Sequence, residues 1–153
     1  MMKFRKSTNL EQAQRLLNCG VKESTADMSW RELIDRAQMT YETDGVTLCT
    51  LPYKEATLIY GEDGITPAWS LSALLAMLPS SIQHGKTEYY LDFAPYEDKG
   101  WGIGYFSTEG VRSIKGLTHP AYPIEACVRA IEWLCQNNYT LNDMTDEKDC
   151  IGD

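Results

Sequence analysis

Histidine is scarce in this chain: 153 residues contain only His84 and His119. Catalytic pairs that use imidazole as base are limited to those two positions, and a His-rich metal site is excluded. The five cysteines (Cys19, Cys49, Cys127, Cys135 and Cys150) are odd in number, are scattered singly and form no CxxC pair. That excludes the paired ligand spacing of a structural zinc site and the regular spacing of a disulfide framework. No run reaches the ~18 apolar residues that a membrane span requires. The basic start, Lys3, Arg5 and Lys6, leads into Ser7-Thr8-Asn9 instead of an apolar core, so no secretory leader is expected. Positive charge is also in deficit. With 14 Lys and Arg against 22 Asp and Glu, the net charge is −8 and the surface should repel phosphate backbones. No direct nucleic-acid contact and no membrane contact are expected. The glycines of Gly100-Trp101-Gly102-Ile103-Gly104 match neither GxGxxG nor GxxxxGK[ST], and they lie in a stretch of strand character. No cofactor or metal is expected.

A hydrophobic content of 43% is enough to bury one good core. The expectation is a single α+β domain over residues 1–141, followed by an acidic tail at 142–153. In that tail Asp143, Asp146, Glu147, Asp149 and Asp153 outweigh Lys148, which places half of the net −8 in the last twelve positions. Cysteines that fall within apolar stripes point to a reducing compartment, and a cytoplasmic location is expected.

The clearest helix signal runs from Pro123 to Asn137. Ile124, Cys127, Val128, Ile131, Leu134 and Cys135 follow the i, i+3, i+4 rhythm, Pro123 suits the first turn, and Asn137-Asn138 suits a left-handed stop. A second stripe, Leu71, Leu74, Leu75 and Leu78, marks a helix expected to be buried on most faces. Thr8 with Glu11 reads as a capping box opening a short helix that ends at Gly20, and Ser29 with Glu32 reads as a second box opening another. Val46-Thr47-Leu48 and Ala56 to Tyr60 have strand character. Thr87 to Ala94 and Gly100 to Ser107 alternate and predict an antiparallel hairpin, with Trp101, Ile103 and Tyr105 on one face and Gly102, Gly104 and Phe106 on the other. The predicted architecture is a small, mainly antiparallel sheet packed against helices, with the N-terminal helices at one side.

Candidate chemistry is thin. Cys127 lies near the start of its helix, where the dipole lowers a thiol pKa, and His119 is the nearest base in sequence. Cys127 also belongs to the apolar stripe, which favours a core role. Glu88, Asp92, Glu97 and Asp98 place carboxylates beside aromatics, but their separation decides whether they can act as a pair. Four Trp and nine Tyr offer more. Tyr89, Tyr90, Tyr96, Trp101 and Tyr105 cluster on or beside the hairpin, and exposed Tyr and Trp are favoured anchors of protein contacts. These five are the candidate partner surface.

Two blocks, Pro67-Ala68-Trp69-Ser70-Leu71-Ser72-Ala73-Leu74-Leu75 and Ile124-Glu125-Ala126 through Ile131-Glu132-Trp133-Leu134, carry a resemblance. Together with Leu16-Leu17, Gly20 and Thr25-Ala26-Asp27-Met28, the chain resembles small uncharacterised proteins of prophages and mobile elements of gut bacteria. The resemblance spans the chain to about Leu141 and rests on packing motifs, so it implies relatives without implying an activity or a catalytic residue. The expected function is a non-enzymatic cytosolic accessory protein acting through contacts with an unidentified protein partner, with homo-oligomerisation left open. Alternatives are a small enzyme with a thiol or carboxylate site near the hairpin, and an acidic DNA mimic.

Overall fold

The computed structural model describes residues 6–32, 46–95, 100–108, 112–113 and 122–142. The described residues up to Ala73 form one compact unit, and those from Leu74 onward form a second. The fold class is α+β, with antiparallel strands and helices in each unit. The acidic tail, Tyr96 and His119 lie outside the described residues.

The first unit opens with helix α1, Leu10–Asn18. Its cap is displaced by one residue from the sequence expectation. Asn9, not Thr8, is the N-cap: Gln12 N–H donates to Asn9 Oδ1 at 2.8 Å and Asn9 N–H donates to Gln12 Oε1 at 3.0 Å. Thr8 is committed elsewhere. Its hydroxyl accepts Trp69 N–H at 3.1 Å, its own N–H donates to Trp69 O at 2.9 Å, and its carbonyl accepts Trp30 Nε1–H at 2.9 Å. Gly20 ends α1 at φ 88°, where a side chain would be strained.

A short 3-10 turn, Glu23–Thr25, then leads into strand β1, Met28–Glu32. The Ser29-to-Glu32 spacing therefore does not cap a helix. Ser29 is buried mid-strand and donates to Leu51 O at 3.0 Å, while Glu32 N–H donates to Gly64 O. Strand β2, Val46–Cys49, pairs with β1 on one side, and β3, Ile65–Ala68, pairs with it on the other, both antiparallel. Pro67 sits in β3, an edge strand of this sheet, where a missing N–H is tolerated. Between β2 and β3 runs helix α2, Tyr53–Tyr60, where the sequence predicted a strand. α1 and α2 both pack against β3, and Ala13, Leu16, Ala56, Ala68 and Trp69 are fully buried.

Helix α3, Leu71–Met77, starts at Ser70, whose hydroxyl accepts Ala73 N–H at 3.1 Å. Leu74 and Met77 are fully buried, but Ser72 and Ala76, four apart on one face, are exposed. Its burial is thus more one-sided than its run of apolar residues predicts. Beyond it, strands β4 (Ser81–His84), β5 (Thr87–Pro95), β6 (Trp101–Ser107) and β7 (Arg112–Ser113) form an antiparallel sheet in the order β4-β5-β6-β7. Helix α4, Pro123–Gln136, packs on β6. Ile124, Cys127, Val128, Ile131 and Leu134 are all buried as the stripe predicts, together with Ala126 and Ala130, whereas Cys135, the last member of the stripe, is only half-buried. At roughly 1.5–3 kcal/mol for each large aliphatic side chain, this seam is a principal source of stability in the second unit.

α4 stops as Asn137-Asn138 predicts. Asn138 lies at φ 63°, its N–H donates to Cys135 O, and Tyr139 N–H reaches back to Leu134 O at 2.9 Å. These are the two bonds of a Schellman stop, and the Tyr139 ring stacks on Trp133 with centroids 5.6 Å apart. The following turn returns to α3, where Asn142 N–H donates to Met77 O and its side-chain amide donates to Ala76 O and Leu78 O.

Candidate functional site

Alternation along β5 and β6 assigns every described side chain of the hairpin to one of two faces. Cross-strand pairs Leu91 with Tyr105, Phe93 with Ile103 and Pro95 with Trp101 share the inner face, and Ile82 with Tyr89 extends it onto β4. Ile103 and Tyr105 are buried here, and the Tyr105 hydroxyl donates to Pro79 O at 2.8 Å. Burial pushes the Tyr105 phenol above its ordinary 10.0. The other face carries Glu88, Tyr90, Asp92 and Ala94 from β5 opposite Gly102, Gly104 and Phe106 from β6.

The five residues of the sequence-predicted partner surface are therefore divided. Tyr105 belongs to the core and presents nothing to a partner. Trp101 is half-buried on the same inner face, stacked on Phe93 at 4.9 Å and 23°, and Tyr89 is half-buried with its ring edge-on to His84 at 6.1 Å. Of the five, Tyr90 alone is described on the outer face, where it is 44% exposed. Its hydroxyl donates to Glu88 Oε2 at 3.1 Å, and this bond to a carboxylate, followed by the carboxylate's charge, raises the Tyr90 pKa.

Beside Tyr90 the outer face contains a feature that aromatic counting did not reveal. A Cβ built on Gly104 would stand 2.7 Å and 3.0 Å from two atoms of the Phe106 ring. The ring therefore lies down along the strand, in the slot that a residue-104 side chain would take. Gly104 is the cross-strand partner of Asp92, and directly opposed positions are near neighbours, so the ring lies at the position facing Asp92. Asp92 and Phe106, with Ala94, Pro95, Gly102 and Gly104, line an open cleft of about 220 Å³. The sequence signal was present in the alternating Gly102, Gly104 and Phe106, but only the ring's direction turns it into a cleft.

The thiol and carboxylate alternatives meet physical obstacles. Cys127 is fully buried, and desolvation pushes its thiol up to about 12, so it stays protonated at neutral pH. Glu88 and Asp92 are four residues apart on one strand face, which sets their Cα atoms ~13 Å apart at the usual rise, and the Glu88 carboxylate is engaged by the Tyr90 hydroxyl. Glu97 and Asp98 lie outside the described residues. The exposed His84 bonds through Nδ1 to Tyr139 Oη at 2.6 Å, in a ring cluster with half-buried Tyr89, Tyr139 and Trp133.

The residues of the resemblance form a second polar constellation, in the first unit. The Asp27 carboxylate accepts Ser70 N–H at 2.9 Å and the Ser70 hydroxyl at 2.5 Å, while Trp69 Nε1–H donates to Thr25 Oγ1 at 2.9 Å. Thr25-Ala26-Asp27-Met28 and Pro67-Ala68-Trp69-Ser70 are thus two halves of one clamp that orders Trp69 and starts α3. Ser70 is engaged as donor to Asp27 and acceptor from Ala73. That is a capping role, and among the described residues no imidazole joins the network.

Among the described residues no group of three His, Cys, Asp or Glu side chains is placed to hold a metal ion, and no helix is long and apolar enough to cross a membrane. No protein-family model, curated protein or solved structure matches the chain.

Proposed function

We propose that the chain is a protein-interaction module that engages a partner through the outer face of the β4-β7 sheet, without catalysis of its own. The observation that carries this reading is the Phe106 ring folded over Gly104 beside Asp92, with Tyr90 exposed next to it on the same face. Tyrosine and phenylalanine beside an acidic residue and an open cleft combine apolar area, hydrogen-bonding groups and a recess for an anchoring side chain, which are the ingredients of an interaction hot spot. The packing-motif resemblance adds the proposal that the partner belongs to the host of a prophage or mobile element, in the cytoplasm.

Affinity capture with tagged wild-type protein and a Tyr90→Ala variant tests this reading. Tyr90 is exposed, so the variant should keep the fold. One host protein should be retained specifically by the wild type and lost, or reduced at least tenfold, with Tyr90→Ala. Retention of no specific protein, or equal retention by both forms, refutes it.

A further inference from the structure

We propose that the Asp92–Phe106 cleft receives an arginine side chain presented by the protein partner, which rests on the interaction reading above. The outer face is anionic by register: Glu88 and Asp92 project from β5, and no Lys or Arg occupies any outer-face position of β4, β5 or β6 among the described residues. A cation is the complementary ligand. The cleft's walls select among cations. Phe106 lies along the strand with its ring across Gly104, offering an aromatic surface beside a carboxylate. A guanidinium is planar, stacks on aromatic rings and donates two parallel N–H bonds to a carboxylate, whereas an ammonium is a compact, strongly hydrated point charge. Ala94 adds an apolar wall beside the ring, against which the methylene stem can lie. Asp92 is exposed in the free protein, so its carboxylate is available without first breaking a buried ion pair.

The experiment is a titration of the isotopically labelled full chain with acetyl-Gly-Gly-Arg-Gly-Gly-amide, followed by amide chemical shifts. The same peptide with citrulline and with lysine in place of arginine serves as comparison. Shifts should cluster at Asp92, Gly102, Gly104 and Phe106, and affinity should fall at least tenfold for the citrulline peptide and for the Asp92→Asn variant. Asp92→Asn is isosteric at an exposed position, and its own spectrum reports whether the fold is retained. Three results would overturn the proposal: no shifts at millimolar peptide, shifts spread over the acidic surface and unchanged in Asp92→Asn, or equal binding of the lysine peptide. If the peptide fails while Tyr90→Ala still abolishes capture of a host protein, the arginine assignment falls and the interaction face stands.

Discussion

Asn138 holds α4 closed at φ 63°, a backbone conformation that costs most L-residues about 1–2 kcal/mol and that glycine and asparagine tolerate best. Asn138→Ala should therefore lower unfolding stability by about 1 kcal/mol, while Asn138→Gly should match or exceed the wild type. Urea denaturation followed by tryptophan fluorescence checks both, since Trp133 stacks on Tyr139 immediately beyond the turn. Equal stability of the alanine and glycine variants would mean that the turn relaxes out of its left-handed state. At this scale the sequence was informative wherever side-chain chemistry and backbone geometry coincide, as at Asn138 and Gly20. It misled where one residue had two uses. Thr8 has the chemistry of a cap, yet its hydroxyl and both backbone groups are drawn to Trp69 and Trp30, sixty-one and twenty-two positions away, and the cap passes to Asn9. Tyr105 looked like surface because tyrosine has a polar tip, but Pro79 O accepts that hydroxyl and leaves the ring free to be buried.

Among the elements, α1, α4 and the β5–β6 hairpin were legible because each carries enough residues to show its period. Two short elements were misread for identifiable reasons. Ala56 to Tyr60 contains Thr57, Ile59 and Tyr60, residues favoured in strands, yet Pro52 opens α2 and Ala56 is fully buried where α2 packs on β3, so tertiary packing overrides propensity. β1 shows a capping-box spacing, but β2 and β3 pair with it on both sides, which a local motif cannot anticipate. The cleft on β6 is intermediate: its glycines are visible in the sequence, whereas the lean of Phe106 is not. Gly104→Ala should push the ring out of its slot and destabilise by about 1 kcal/mol, the cost of an off-rotamer aromatic outweighing the gain from replacing a strand glycine. In a Phe106→Ala background the same change should become neutral or stabilising, because nothing then occupies the slot. Thermal denaturation of the four-member cycle measures this coupling, and a Gly104→Ala cost that persists without the ring would show that the close approach is not what glycine serves there.

For the whole molecule, two buried groups among the described residues are strongly perturbed, Cys127 on α4 and Tyr105 on the inner face of β6, and both are raised by desolvation. The sign of their effect on stability follows from which state holds the proton longer. The folded chain keeps the Cys127 proton up to about 12, whereas the unfolded chain releases it near 9.0, so the stabilising contribution is intact below pH 9 and is lost as pH rises towards 12. Each such group can remove up to about 1.4 kcal/mol per pH unit once its unfolded form titrates. Tyr105 joins above its ordinary 10.0. Unfolding stability should therefore be insensitive to these groups at neutral pH and should begin to fall above about pH 9. Cys127→Ala removes the earlier of the two titrations, so the onset of that fall should move about one pH unit higher, whatever the variant's stability at pH 7. Urea midpoints measured from pH 7 to 11 decide the matter. The same onset in wild type and variant would mean that the Cys127 thiol does not stay buried and protonated in the folded state, and the assignment of this cysteine to the core between α4 and β6 would fail with it.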